Sequence, residues 1–158
     1  MWENAPWTPR AWQREALPLA IASIKDRQKP VIAAIMGAGK SVLIAELVYQ
    51  ALKKLRKDYK IVIVAPRVNL IQQLSKTIAV RCGAENVGCY YTHEKELDKP
   101  IIVTTFVSAP VIARKINVAL LVGDEVHGTE AENFKGSYEF LDPASAIGFT
   151  ATPYRSDE

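Results

Sequence analysis

The stretch VIAAIMGAGKSVLIAEL, Val31–Leu47, places two glycines and a lysine between two apolar segments. The first segment has the length and continuous apolar character of a parallel strand buried on both faces. The second has apolar residues at helical spacing, so the turn between them joins a strand to a helix near Lys40. This order is typical of an α/β fold.

The turn itself has the composition of a phosphate-binding loop. Gly37 and Gly39 let the backbone bend sharply, so that several N–H groups and the positive end of the helix face one point. Lys40 adds a full charge for the outer phosphates of a nucleotide, and the hydroxyl of Ser41 is placed to ligate Mg²⁺. The general pattern G-x-x-x-x-G-K-[ST] fails at one position, where Ala34 replaces the first glycine. An ordinary glycine-rich turn with a solvated lysine is the alternative.

The composition fits one soluble domain. The chain has 158 residues, 49% of them apolar, and a formal charge of +3, which permits a polyanionic partner without arguing for one. The two cysteines make no metal-ligand cluster, and the stretch MWENAPWTPR has no basic leader followed by an apolar segment, so it does not suggest a signal peptide. No apolar run approaches the roughly 18 residues of a membrane span. We therefore expect a cytoplasmic protein, from a bacterium or a virus-infected cell, with no membrane partner.

Apolar runs of strand length alternate with helical patterns along the rest of the chain. Strands are predicted at 31–35, 61–65, 101–106, 118–125 and 146–152, with a weaker candidate at 86–91. Helices are predicted from a cap at Thr8 with Pro9 in first position to about Pro30, then at 40–57, 67–83 and 108–115. This alternation predicts a three-layer α/β/α fold with a mostly parallel sheet, whose ligands bind at the carboxyl ends of the strands.

A pair of carboxylates follows the predicted strand at 118–125. Asp124 and Glu125 would lie at the same edge of the sheet as the glycine-rich turn. Asp124 can hold Mg²⁺ through its water shell, and Glu125 can polarise the water that attacks the γ-phosphate. Two solvent-facing carboxylates at a strand end are the alternative. A lone histidine such as His127 is usually structural, and only its spacing in DEVH favours a functional role.

At this point the sequence resembles the superfamily 2 helicases and translocases of the DExH type. DEVH is similar to their D-E-x-H box, MGAGKS to motif I, IVIVAPRVNLIQQ to motif Ia and FTATPYR to motif III. PRAWQREA resembles the adenine-recognising Q motif, and IIVTTF resembles the motif near Thr104 and Thr105. These motifs occur in family order over almost the whole chain. Among subgroups they most resemble the RecG-like, restriction-translocase-like and RadD-like ATPases.

The resemblance implies a RecA-like P-loop domain that uses ATP and Mg²⁺, with Lys40, Asp124 and Glu125 as its catalytic residues. Gln13 would read the adenine edge and Arg10 would pack near the base, unless this part is only an amphipathic helix. The phosphates would be held by Gly37, Ala38, Gly39 and Lys40, and Mg²⁺ by Ser41 and Asp124. Nucleotide state would be coupled to nucleic acid by His127, Thr150 and Thr152.

The resemblance also implies nucleic acid as the partner, with DNA favoured over RNA. It would cross the face near Arg67, Asn69, Thr104 and Thr105, through contacts that position a strand without reading bases. The alternative for Arg67 is an ordinary surface charge at the start of a helix. The more basic run Lys53, Lys54, Arg56 and Lys57 is predicted to lie away from the ligand edge, as a solvated face.

The domain organisation follows from the same resemblance. Residues 1–30 would carry the Q-like motif within the same domain, and residues 31–158 would form the ATP-binding domain. Family members have a second RecA-like domain that has no counterpart here, which favours an excised first domain over a naturally short protein. The leading hypothesis is the motor domain of a DNA helicase or translocase. The alternatives are a nucleic-acid- or protein-binding module without turnover, and a P-loop NTPase unrelated to nucleic acid, such as a kinase or transporter ATPase.

Overall fold

The apolar runs form the strands of one sheet. The computed structural model describes residues 1–35 and 39–152, with the backbone alone for Ile35 and Thr152. Gly37, Ala38 and residues 153–155 of the FTATPYR stretch lie outside the described residues.

Seven strands of the described chain pair in the order β1-β7-β6-β2-β5-β3-β4, and every pair is parallel except β3 with β4. Their bounds are β1 Val31–Ile35, β2 Tyr59–Ala65, β3 Val87–Tyr91, β4 Glu94–Lys95, β5 Ile101–Thr105, β6 Asn117–Gly123 and β7 Ser145–Thr152. The mostly parallel sheet is confirmed. The two-residue β4 is not predicted, because so short a segment carries no apolar run.

Five α-helices in the described chain cover the two faces of the sheet. They are α1 Ala11–Lys25, α2 Lys40–Leu52, α3 Val68–Cys82, α4 Ala109–Ile112 and α5 Thr129–Leu141. Buried residues of α1, α2 and α3 form one core cluster with side chains of the strands, and those of α4 and α5 form a second cluster. Along β2, Ile61 and Ile63 belong to the first cluster, while Val62 and Val64 belong to the second. The three-layer α/β/α prediction is confirmed, and it explains why the strand sequences do not alternate with polar residues.

The first helix begins later than the sequence predicts. Arg10, and not Thr8, occupies the position before the first helical residue, and the helix continues through Pro18 to Lys25. The Arg10 backbone N–H donates to Oε1 of Gln13 at 2.7 Å, so a side chain three residues into the helix satisfies its start. The prediction of a Thr8 cap with Pro9 in first position is therefore wrong.

The second helix ends earlier than predicted. The α-helix stops at Leu52, and the N–H groups of Lys54 and Leu55 donate to carbonyls only three residues back. Such tightened turns are common where a helix terminates. The basic residues up to Lys57 therefore follow the helix and do not form its last turn. The third helix, in contrast, ends at Gly83 as predicted, with φ 93° at that glycine.

The amino-terminal segment is fixed to α2 and α3 by a buried ion pair. Arg81 Nε lies 2.6 Å from Oε2 of Glu46, and both side chains are buried. The Trp2 backbone N–H donates to Oε1 of Glu46 at 2.8 Å, and Arg81 Nη2 donates to the Glu3 carbonyl at 2.8 Å. The side chains of Trp2 and Trp7 pack against the first core cluster. Because a buried charge is stable only when paired and hydrogen-bonded, this network holds the segment in place.

Helix α5 is not predicted from the sequence, and it packs on two glycines of the sheet. Gly123 of β6 and Gly148 of β7 are partners in register. A Cβ at Gly123 would lie 2.5 Å from ring carbons of Phe134, and one at Gly148 would lie 3.0 Å from the same ring. Because both positions lack a side chain, the Phe134 ring of α5 lies directly on the sheet. This packing supports the end of β6, where the Asp124–Glu125 pair follows.

Replacing Gly123 with alanine is expected to lower the free energy of unfolding by about 1–3 kcal/mol, because overpacking displaces the Phe134 ring. Urea denaturation measures the change. Gly136→Ala is the matched control within α5, since its Cβ would meet open space and helical alanine is up to about 1 kcal/mol more favourable than glycine. Equal stability of the two variants would show that the ring does not press on β6.

Candidate functional site

Three charged groups meet at the carboxyl edge of the sheet. Lys40 is the first residue of α2, the element that follows β1 in the chain, while Asp124 and Glu125 follow β6. Nζ of Lys40 lies 2.7 Å from Oδ1 of Asp124 and 2.6 Å from Oε1 of Glu125. Because β7 lies between β1 and β6, the two strand ends are close enough for the lysine to reach both carboxylates. The sequence-based expectation that these groups share one edge is thus met in the structure.

Backbone hydrogen bonds around Asp124 fix the positions of the two carboxylates. The Asp124 N–H donates to the Val64 carbonyl at 2.8 Å, and its side chain accepts from the Glu125 N–H at 3.0 Å. Glu125 has φ 58°, in the left-handed region that non-glycine residues rarely adopt. The Val126 N–H then donates to the Phe149 carbonyl of β7 at 3.0 Å. The chain therefore turns sharply after Asp124 and is held against β7, an arrangement typical of functional sites.

The charges shift each other's proton affinities in different directions. Burial disfavours the charged form of Lys40, but the two carboxylates outweigh this, so the pKa of Lys40 lies above its usual value. Burial raises the pKa of Asp124, which is only 6% exposed, and Lys40 offsets this only in part. Burial acts in the same direction on Glu125, but hydrogen bonds from Lys40 and His127 outweigh it and lower the pKa. Glu125 is thus the more readily ionised of the two carboxyls.

Gln13 and Arg10 lie beside the last residue of the glycine-rich turn. Gln13 is 2% exposed, and its Nε2 donates to the Gly39 carbonyl at 2.8 Å. A Cβ at Gly39, where φ is 90°, would lie 2.6 Å from this nitrogen and 3.8 Å from Cζ of Arg10. The structure therefore joins the Q-like segment to the turn. In this conformation the Gln13 amide accepts from the Arg10 N–H through Oε1 and donates to the Gly39 carbonyl through Nε2.

The oxygen donors present at this edge suit Mg²⁺. Ser41 lies half-buried in the first turn of α2, one residue after the lysine that bonds Asp124. Among the described residues, no group of three or more His, Cys, Asp or Glu side chains is placed to hold a metal ion. Mg²⁺ is commonly held by one or two protein oxygens together with substrate phosphates, so a single carboxylate and a hydroxyl fit this ion.

The three residues predicted to couple nucleotide state to nucleic acid, His127, Thr150 and Thr152, do not form one hydrogen-bonded network among the described residues. Nε2 of His127 lies 3.0 Å from Oε2 of Glu125, and the histidine side chain is 57% exposed. Thr150 lies in β7, where it pairs in register with Ala33. In the described part of the chain no hydrogen bond joins His127 to Thr150, and the side chain of Thr152 is not described. The link between the two motifs is instead the backbone hydrogen bond from Val126 to Phe149.

The predicted nucleic-acid residues divide into exposed and buried pairs. Arg67 and Asn69 are exposed at the start of α3. Thr104 is fully buried and its hydroxyl donates to the Tyr90 carbonyl at 2.7 Å, while the buried Thr105 hydroxyl accepts from the Ser108 N–H. Both threonine hydroxyls are therefore engaged by backbone groups in this conformation. The reason is that β5 is covered on both faces, which the sequence motif alone does not show.

The comparisons with known proteins agree with this geometry. Residues 7–155 match the protein family described as "Type III restriction enzyme, res subunit". The chain belongs to this family. A search of curated protein sequences found no significant match.

Solved structures share the fold of this chain at low sequence identity. The SWI2/SNF2 ATPase core of Sulfolobus solfataricus, in complex with dsDNA, gives a TM-score of 0.76 at 17% identity over 93% of this chain. The UvsW helicase of bacteriophage T4 gives 0.69 at 15% over 94%, and the type ISP restriction-modification enzyme LlaGI, with a DNA substrate mimic, gives 0.71 at 15% over 96%. The domain spans 32%, 54% and 18% of these chains, respectively. Its fold is the RecA-like α/β fold of these ATPase and helicase structures. No helix in its described part is long and apolar enough to cross a membrane.

Lys40→Met is expected to lower the free energy of unfolding by about 1–3 kcal/mol at pH 8, because it leaves two carboxylates facing each other without a cation. Their pKa values then rise in the folded state, and a carboxyl whose pKa is raised by folding destabilises the fold as pH rises. The deficit should therefore shrink at pH 5, as measured by urea denaturation.

Lys57→Met is the control for this experiment, because Lys57 is exposed and forms no ion pair among the described residues. A deficit of equal size at both pH values would contradict the assigned charge cluster.

Proposed function

We propose that this res-subunit domain is the ATP-binding half of a nucleic-acid-dependent motor that couples ATP hydrolysis to movement on DNA. The observation that carries the proposal is the contact of Lys40 with Asp124 and Glu125 at the carboxyl edge of the sheet. A lysine at a helix start, beside one buried and one partly exposed carboxylate, has the groups that phosphoryl transfer to water requires. The family match and the shared fold support the same class of protein.

In the proposed reaction Lys40 exchanges its carboxylate partners for phosphate oxygens. The positive end of α2 and the Lys40 ammonium then face the same phosphates. The release of Lys40 frees Asp124 to act, together with the Ser41 hydroxyl, as an oxygen donor for Mg²⁺, which would neutralise charge on the phosphates when bound. The amide of Gln13 and the guanidinium of Arg10 lie next to Gly39, on the side from which a base could be held.

Glu125 is the proposed proton acceptor for the attacking water. Its lowered pKa keeps it ionised at neutral pH, and the hydrogen bond with His127 orients its second oxygen. A second RecA-like domain, elsewhere in the motor, is proposed to supply arginines that stabilise transferred charge. Such arginines contribute roughly 10³–10⁵ in rate where they act. We therefore expect this domain alone to bind ATP weakly and to hydrolyse it slowly.

The proposed DNA path runs over the exposed start of α3 and the turn that follows β5. Arg67 and Asn69 offer a guanidinium and an amide for phosphate oxygens. Since the hydroxyls of Thr104 and Thr105 are engaged internally, the exposed residues after them, including Val107 at 85% exposure, form the surface at this place. The exposed residues of this path suit contacts to the phosphate backbone of DNA more than contacts to its bases.

ATP binding and turnover test the catalytic half of the proposal. With a fluorescent ATP analogue and Mg²⁺, Lys40→Ala should weaken binding at least tenfold, since a full charge on the phosphates is lost. Glu125→Gln should retain binding and lower the hydrolysis rate by about 10²–10⁴. Lys57→Ala is the control for charge alone. Hydrolysis unaffected by Glu125→Gln would exclude this site, whereas hydrolysis indifferent to every nucleic acid would favour an unrelated P-loop NTPase.

DNA binding measured against salt tests the proposed path. Arg67→Ala should weaken binding to single-stranded and duplex DNA irrespective of sequence, and should reduce the slope of log K against log salt by about 1. Lys57→Ala, a cation at the opposite edge of the sheet, should leave that slope unchanged. If the two variants exchange these effects, DNA binds along the basic run and not along the start of α3.

A further inference from the structure

A second candidate site lies at the amino-terminal edge of the sheet, opposite the edge that carries Lys40. A cavity of about 500 Å³ opens there between the ends of α1 and α2 and the beginnings of β2, β6 and β7. The side chains of Leu47, Ile61 and Leu120 form its buried apolar floor. Ile24 and Leu55 form walls that are only half-buried. Apolar surface therefore remains accessible inside a concave site of the size typical for small ligands.

The rim of this cavity is positively charged. Lys25, Lys54 and Arg56 line it and are exposed, and no aspartate or glutamate is among its lining residues. In the part of the chain that the structure describes, none of these three side chains forms an ion pair. An apolar floor beneath cations without partners is complementary to a molecule with an apolar body and an acidic head.

Helix ends alone do not account for these cations. Lys25 lies in the last turn of α1, where a cation complements the helix dipole. Lys54 and Arg56, however, follow the end of α2 at Leu52, where the chain makes tight turns toward β2. Their neighbour Lys57 belongs to the same basic run and does not line this cavity. The run is therefore divided between a part that faces the cavity and a part that does not.

We propose that this cavity binds a small amphipathic organic anion, with an aliphatic or aromatic body on the apolar floor and a carboxylate or similar acid at the cationic rim. The body would cover the half-buried Ile24 and Leu55, and burial of such apolar surface is favourable. The acid would pair with Lys54 and Arg56. The proposal does not depend on ATP binding, because its residues lie at the other edge of the sheet.

Decanoate is a suitable probe, and decan-1-ol is its uncharged match. Titration followed by ¹H–¹⁵N NMR should show saturable binding of decanoate, with shifts at the amides of Ala51 and Ala119 on the cavity wall. The amide of Lys40 should not move. Calorimetry should show at least fivefold weaker binding of decan-1-ol than of decanoate.

Substitutions in the cavity test separately where the acidic head and the apolar body of the ligand bind. Lys54→Gln and Arg56→Gln should each weaken decanoate binding about twofold to fivefold, as expected for exposed ion pairs. Lys57→Gln is the matched control and should have no effect. Ala51→Phe should fill the cavity and abolish binding, and its thermal unfolding checks that the domain remains folded. The two charge variants change exposed side chains, so they test the proposal even if Ala51→Phe does not fold.

Several outcomes would overturn the proposal. Equal affinity for decanoate and decan-1-ol would mean that the cationic rim recognises nothing. Shifts centred on Lys40, or equal weakening by Lys57→Gln, would place the anion elsewhere. Shifts at Ala51 and Ala119 that follow protein concentration, without added decanoate, would show that the cavity faces a second copy of the chain.

Discussion

The contact of one ammonium group with two carboxylates connects parts of the chain that lie 85 residues apart. It forms only if β1 and β6 run in the same direction and end at the same edge, with a single strand between them. The parallel sheet therefore determines the site before any side chain is chosen. Strands β2, β5 and β6 are buried over most of their length on both faces, so their apolar sequences fix their positions, and the polar residues that follow them meet at the edge.

The same contact determines how the site responds to a phosphate ligand. In the structure Lys40 is already paired with Asp124 and Glu125, so a phosphate group must compete with them for the ammonium. If Lys40 moves to phosphate, Asp124 remains buried with a raised pKa and needs another cation. A divalent cation that arrives with the phosphates meets this need. Nucleotide and metal are thus expected to bind together more favourably than either alone, which is a coupling between two ligands of one site.

Much of the fold could be predicted from the sequence because the strands are continuous apolar runs. The strand at 31–35 has the predicted bounds, and the other predicted strands differ by one or two residues at one or both ends. The helix ends were less predictable, since Gln13 satisfies the start of α1 through a hydrogen bond that no local pattern reveals. Helix α5 has a weak apolar stripe and an internal glycine, so its position depends on Phe134 meeting Gly123 and Gly148. Those two glycines within apolar strands were the available signal for a close approach.

In the candidate site, too, some features could be predicted from the sequence and others could not. Lys40, Asp124 and Glu125 could be predicted because each directly follows a strand or begins a helix at one edge. Thr104 and Thr105 also lie near that edge, but their place within a fully covered strand directs their hydroxyls to backbone groups. Whether a strand-end side chain is exposed depends on the neighbouring layer, and a single sequence does not contain that information in a local pattern.

Helix α2 is held along its length by groups from the first 13 residues of the chain. Gln13 donates to Gly39 at its start, and the Trp2 N–H donates to Glu46 in its middle, where Arg81 of α3 completes the ion pair. A ligand that draws Lys40 away from the carboxylates pulls on the first turn of this same helix. Because Glu46 is buried and fully paired, the middle of α2 resists movement, whereas the single hydrogen bond from Gln13 is the weaker restraint. A response to phosphate is therefore expected to be concentrated at the first turn of α2 and at Gln13, which would link the proposed base contact of Gln13 to the position of the phosphates.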